Sequence, residues 1–143
     1  TGCGSCRQVS DEPGCRRRDG GLEIIEAILA VDFVVYATPL YAWGFPSQLK
    51  ALIDRHYCML KGDPAGEFSS LMQGKRTALV VTCLGGVEGN ADLIQTAFDR
   101  MMRFAGCAVT GTYVVPFCGK SAPSDGTTEE TARRMAAGLE ENP

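Results

Sequence analysis

Residues 31–55 confine this chain more tightly than any other segment. Val31, Phe33, Val34, Val35, Tyr36 and Ala37 form a nearly unbroken apolar run, which suits a strand covered on both faces, as in a parallel sheet. Thr38-Pro39 stops it, because proline has no N–H for the ladder and pushes its predecessor out of helical space. Pro46 stands where a helix start tolerates proline, with Leu49, Leu52, Ile53, His56 and Leu60 at helical spacing behind it. Between the two lies Leu40-Tyr41-Ala42-Trp43-Gly44-Phe45, a turn with three aromatics at the carboxyl end of a strand. Ligands of open α/β sheets bind at that edge, and large rings held there suit a flat, apolar ligand. The alternative for Trp43 and Phe45 is structural: a hydrophobic staple that seats the following helix.

The rest of the chain repeats the alternation. Leu22, Ile25, Ile28 and Leu29 predict a helix running to about Ala30. Lys75 to Cys83 reads as a second buried strand, ending in the loop Leu84-Gly85-Gly86-Val87-Glu88-Gly89. Asn90 is placed to cap the next helix, whose buried set is expected to be Leu93, Ile94, Ala97, Phe98, Met101 and Ala105, with Gly106 as the C′ glycine. Val109 to Phe117 is a third strand, and Pro116 places it near a sheet edge. Thr127 and Glu130 predict a capping box for a last helix with a stripe of Ala132, Met135, Ala136 and Leu139. Lys61 to Gly74 reads as a polar surface connection.

At 143 residues this is one domain. The formal charge of −3, with signs interspersed, provides no basic stripe for nucleic acid and no polybasic patch for a membrane surface. No apolar stretch reaches the ~20 residues that span a bilayer. Seven cysteines is an odd number, and Cys58, Cys83 and Cys107 sit in apolar strand or helix contexts. A reducing cytoplasm is therefore expected rather than a secreted disulfide framework.

Thr38-Pro39-x-Tyr41, followed by Ser47, Leu49-Lys50 and Ile53-Asp54-Arg55, resembles the corresponding segment of flavodoxin-like NAD(P)H-dependent FMN reductases and their iron–sulfur flavoprotein relatives. Cys3-Gly4-Ser5-Cys6 with Gly14-Cys15, Gly74-Lys75, and Thr82 to Gly86 with Glu88 add to the match. The resemblance implies a flavodoxin-like open parallel sheet with helices on both faces, lacking the family's N-terminal strand, phosphate loop, helix and second strand. It also implies that Thr38, Pro39, Leu40, Tyr41, Ala42 and Trp43 lie on one side of an FMN ring, and Cys83, Leu84, Gly85 and Gly86 on the other. No catalytic acid or base is then needed, since the flavin carries the redox chemistry.

Three functions follow as expectations. The first is an FMN-dependent oxidoreductase passing electrons from NAD(P)H to a small acceptor such as a quinone or flavin. The second is an electron carrier, with or without an iron–sulfur cluster. The third is a half-domain that binds no flavin. The absent phosphate loop matters energetically: about three charge-assisted hydrogen bonds of roughly 1.5–3 kcal/mol each correspond to some three or more orders of magnitude in affinity. It also leaves an apolar sheet edge on the strand of Phe33 to Ala37, so a homo-oligomer is expected. Cys3, Cys6 and Cys15 have the tight first spacing of metal and cluster sites. Three thiolates make a poor closed zinc site, which leaves free or redox-active thiols beside the cluster reading. His56, the only histidine, reads as a packed or surface residue.

Overall fold

The computed structural model describes residues 13–17, 19–62, 65, 67–119 and 126–140. Three strands, β1 (Phe33–Pro39), β4 (Arg76–Thr82) and β5 (Ala108–Val115), form a parallel sheet in the order β1-β4-β5. Each parallel step is crossed by helix: α2 (Ser47–Arg55) between β1 and β4, and α3 (Asp92–Phe104) between β4 and β5. The first helix, α1 (Gly20–Leu29), precedes the sheet, and α4 (Thr127–Glu140) follows it.

The two faces can be assigned from single contacts. Tyr36 of β1 sets its ring edge against Phe98 of α3, and the Thr112 hydroxyl of β5 donates to the Gln95 side chain at 3.0 Å. Ile25 and Ile28 of α1 join Leu79, Val81, Ile94, Phe98 and Met102 in the core on that side. Tyr113, next along β5, points the other way, so that a Cβ added at Gly138 of α4 would meet its hydroxyl at 2.4 Å. Helices therefore lie on both faces, as expected.

Residues that the motif pattern singles out prove to hold α1 in place. Arg55 donates to the Asp19 carboxylate at 2.5 Å and to Cys15 Sγ at 3.2 Å, and Asp19 in turn caps α1 by accepting from Gly21 N–H at 3.1 Å. The guanidinium beside Asp19 holds its carboxyl below the usual carboxylate range. Lys75 donates to the carbonyls of Leu29 at 2.8 Å and Val31 at 2.5 Å, satisfying the carboxyl end of the same helix.

Several expectations change. The β1 strand is buried on one face only among the described residues, through Tyr36 and Thr38, while Val35, Ala37 and Pro39 are exposed; α4 packs chiefly on β5. The connection from Lys61 to Gly74 is no plain loop, since β2 (Leu60–Gly62) and β3 (Phe68–Ser70) pair antiparallel within it. On α3 the buried positions are Ile94, Phe98 and Met102, with Leu93 and Ala97 exposed. On α4 Thr131 is buried, Met135 and Gly138 are half-buried, and Ala132 and Ala136 face out. That helix begins at Thr127, whose side chain lies outside the described residues. Gly106 does take the left-handed φ of +72° after α3. Among the described residues no helix is long and apolar enough to cross a membrane.

Candidate functional site

Strand β1 ends in a turn closed in both directions. Tyr41 N–H donates to Gly44 O at 3.2 Å, and Gly44 N–H returns to Tyr41 O at 3.0 Å. The two central residues, Ala42 and Trp43, have φ of +47° and +60°. Positive φ at both centres is the type I′ geometry, which favours Asn-Gly because a Cβ is crowded there. Ala42 and Trp43 adopt it at a cost of order 1–2 kcal/mol per residue. This strain was invisible in the sequence, which carries no turn signal at those two positions. At this turn Tyr41 and Trp43 stand 63% and 59% exposed. Phe45, by contrast, is half-buried and packs against the core.

Strand β4 ends beside it. Leu40 N–H donates to Thr82 O at 2.8 Å, tying the turn to the start of the Cys83–Gly86 loop. Leu40, Ala42, Trp43, Cys83, Leu84, Gly85 and Asn90 line one cleft of about 190 Å³. The structure thus brings the two predicted segments together. Thr38 is buried and its hydroxyl donates to Pro39 O at 3.0 Å, so it supports the turn from beneath. Pro39 ends β1 with its ring exposed. The volume falls below the ~300–1,000 Å³ of sites that enclose a ligand, which makes this cleft a wall rather than a whole pocket. A cleft of about 260 Å³ lies elsewhere, lined by Ile53, His56, Met72 and Phe104 among others; it is away from the carboxyl ends of the strands and is not the site.

Two residues missed in the sequence shape the second wall. Asn90 was expected to cap α3, but the cap residue is Ala91 without a side-chain bond. Instead, Asn90 Nδ2 donates to Gly86 O at 2.8 Å. Phe117, with φ of +58°, is 54% exposed and carries its ring to Gly86, where an added Cβ would lie 3.7 Å from Cζ. Three non-glycine residues with positive φ, Ala42, Trp43 and Phe117, thus meet at one end of the sheet, and strain of this kind collects at ligand sites. A positive φ at a phenylalanine has no sequence signal.

The donor set suits a flat ring with carbonyl and imine acceptors. Among the described residues none accepts from the N–H groups of Leu84, Gly85 or Gly86. Gly85 is needed for approach, since a Cβ there would come within 3.1 Å of Asn90 Nδ2. An FMN ring therefore fits these residues: main-chain donors on one wall, exposed aromatics on the other. Cys83, buried, donates its thiol to Gly85 O at 3.2 Å, and burial followed by the nearby Cys118 pushes its pKa up.

The predicted cysteine cluster is only partly visible. Cys3 and Cys6 lie outside the described residues. Cys15 is half-buried against Arg55, and among the described residues no group of three or more His, Cys, Asp or Glu side chains converges on a metal position.

Comparison with known proteins agrees with this geometry. The family model described as "Flavodoxin-like fold" matches residues 13–139. An FMN-dependent NADH:quinone oxidoreductase of Bradyrhizobium sp. is 41% identical over 69 residues, 47% of this chain and 34% of that protein. An iron-sulfur flavoprotein of Methanosarcina thermophila is 43% identical over 53 residues, 37% of this chain and 26% of its own length. Among solved structures, the FMN-dependent NADH-azoreductase of Bacillus anthracis in complex with FMN superposes with a TM-score of 0.66 at 16% identity, covering 87% of this chain and 62% of that one. The matched stretches thus span about a quarter to a third of the length of these two sequence relatives.

Proposed function

The chain belongs to the flavodoxin-like fold family, and from that premise we propose that its two loops form the ring-side wall of an FMN site in an NAD(P)H-dependent oxidoreductase with a small acceptor such as a quinone or flavin. The observation that carries this reading is the shared cleft: Leu40, Ala42 and Trp43 face Cys83, Leu84 and Gly85 across it. When bound, FMN accepts two electrons from a nicotinamide and passes them on. The chain's own residues bind and orient. Leu84, Gly85 and Gly86 offer N–H donors to the polar ring edge. Tyr41 and Trp43 exclude water from the ring and present a surface on which a flat acceptor stacks.

Self-association is part of the proposal. Val35 and Ala37 leave an apolar strip on β1, at an edge strand that invites pairing. A cytoplasmic, reducing setting suits Cys15, Cys83, Cys107 and Cys118, none of which is in a disulfide.

The test is a titration with FMN and with riboflavin, followed by flavin fluorescence, and then addition of NADH or NADPH with a benzoquinone. Saturable binding with similar affinity for both flavins is expected, because the wall built here is the ring side. Trp43→Ala should weaken both alike. Absence of binding to either flavin would sink the proposal. A flavin-loaded protein that neither nicotinamide reduces would be an electron carrier instead.

A further inference from the structure

The loops after β4 and β5 are stitched together at two cysteines. Cys83 N–H donates to Val115 O at 3.0 Å, and Cys118 N–H donates back to Cys83 O at 2.8 Å. Between them the chain reverses at Phe117, whose positive φ turns Cys118 back onto β4. Cys118 Sγ lies 3.3 Å from the same Val115 carbonyl that Cys83 N–H binds. Standard backbone dimensions put α-carbons joined through one such bond about 5–6.5 Å apart, inside the range that a disulfide bridges. Both thiols donate weakly to backbone carbonyls, Cys83 to Gly85 O and Cys118 to Val115 O, and among the described residues neither is bonded to a charged side chain.

We propose that Cys83 and Cys118 form a redox-active dithiol, which closes to a disulfide by exchange with a small disulfide such as oxidised glutathione. The half-buried Cys118 is the thiol that solvent reaches, and the buried Cys83 is the resolving one. Cys118 sulfur, as thiolate, attacks one sulfur of the small disulfide, whose S–S bond breaks and releases one thiol. Cys83 sulfur then attacks Cys118 sulfur, and the second small thiol leaves. The two protons of the cysteines end on the two released thiols. One S–S bond has formed and one has broken, and the two electrons lost by the cysteines reduce the small disulfide. Raising the pH should speed the second step, because burial keeps Cys83 protonated.

Closure requires Cys83 Sγ to leave Gly85 O, the bond that fixes the loop lining the cleft. The pair thus adds a second two-electron site to the wall of the first. Neither its chemistry nor its test depends on flavin binding.

The experiment equilibrates the intact protein with graded mixtures of reduced and oxidised glutathione, quenches in acid, alkylates the remaining thiols and digests with trypsin. The expected product has lost two alkylatable thiols and carries one link between Cys83 and Cys118. Fragment ions must place that link at Cys118 rather than Cys107, which shares its tryptic peptide. Cys83→Ser and Cys118→Ser, each checked for folding by circular dichroism, should both abolish the link. A link using Cys3, Cys6, Cys15 or Cys107, glutathione left on Cys118, or full thiol retention in oxidising mixtures would each overturn the proposal.

Discussion

The side-chain amide of Asn90 donates to the carbonyl of Gly86 at 2.8 Å, across a loop that has no secondary structure of its own. That bond, with the Cys83 thiol on Gly85 O, braces the Leu84–Gly86 loop beside the cleft. Asn90→Ala should therefore loosen the loop more than it weakens the fold. A stability loss of about 0.5–1.5 kcal/mol is expected from one net hydrogen bond, read by urea denaturation. Flavin affinity should fall about three- to tenfold, or ~0.7–1.4 kcal/mol, read by fluorescence titration. A variant that loses stability but binds flavin as before would remove Asn90 from the site.

The Tyr41–Gly44 turn makes the opposite prediction for stability. Ala42 holds φ +47° in a type I′ position, where a Cβ costs about 1–2 kcal/mol. Glycine removes that cost but adds entropy to the unfolded chain. Ala42→Gly should raise stability by about 0.5–1 kcal/mol, measured as a higher urea midpoint at unchanged slope. A destabilised variant would mean that the Ala42 methyl contributes packing to the cleft.

These two loops show what the sequence could and could not convey. The apolar runs of β1 and β4, Pro46 before α2 and Gly106 after α3 are local signals, and each marks its element within a residue or two. The pairing of Thr38–Trp43 with Cys83–Gly86 came from the family resemblance; the residues themselves placed each loop only at the carboxyl end of its strand. Asn90 misled because a cap and a loop brace use the same side chain, and only the path of Gly86 decides between them. Phe117 carried no signal at all: its role comes from a reversal that brings Cys118 back to β4. The both-face burial read into β1 failed because apolar composition records what a strand tolerates, not which partner covers it.

The contact of Gly138 with Tyr113 tests how α4 is seated. A Cβ at Gly138 would lie 2.4 Å from the Tyr113 hydroxyl and 3.7 Å from Cζ, so the clash is with the oxygen alone. Gly138→Ala should cost about 1–3 kcal/mol as overpacking. In a Tyr113→Phe background the sign should reverse, since alanine is about 1 kcal/mol better than glycine within a helix. Gly111→Ala provides the contrast, because its Cβ would also meet Tyr113 Cζ and Cε2, at 2.7 and 2.8 Å. Phenylalanine should not rescue it. Equal rescue of both alanines in thermal melts would show that α4 does not pack on β5 in this register.

His56 predicts a pH dependence that is independent of the cleft. Its ring lies edge-on to Tyr36 with centroids 5.8 Å apart, and neither Nε2 nor the Tyr36 hydroxyl has a hydrogen-bond partner among the described residues. Burial lowers the imidazole pKa from 6.5 to about 4, since it strips the charged form of its hydration. The unfolded chain therefore binds the proton first. Stability is fully present above pH 6.5, declines as the pH falls from 6.5 toward 4, and levels off below that as far as this group is concerned. The shift corresponds to a loss of order 3 kcal/mol across the window. Replacing the histidine with an apolar ring, His56→Phe, should flatten that part of the curve while leaving the decline from the carboxylates below pH 4. Urea midpoints collected from pH 7.5 to 4 on both proteins check it. Parallel curves would mean that His56 reaches solvent when it takes up its proton.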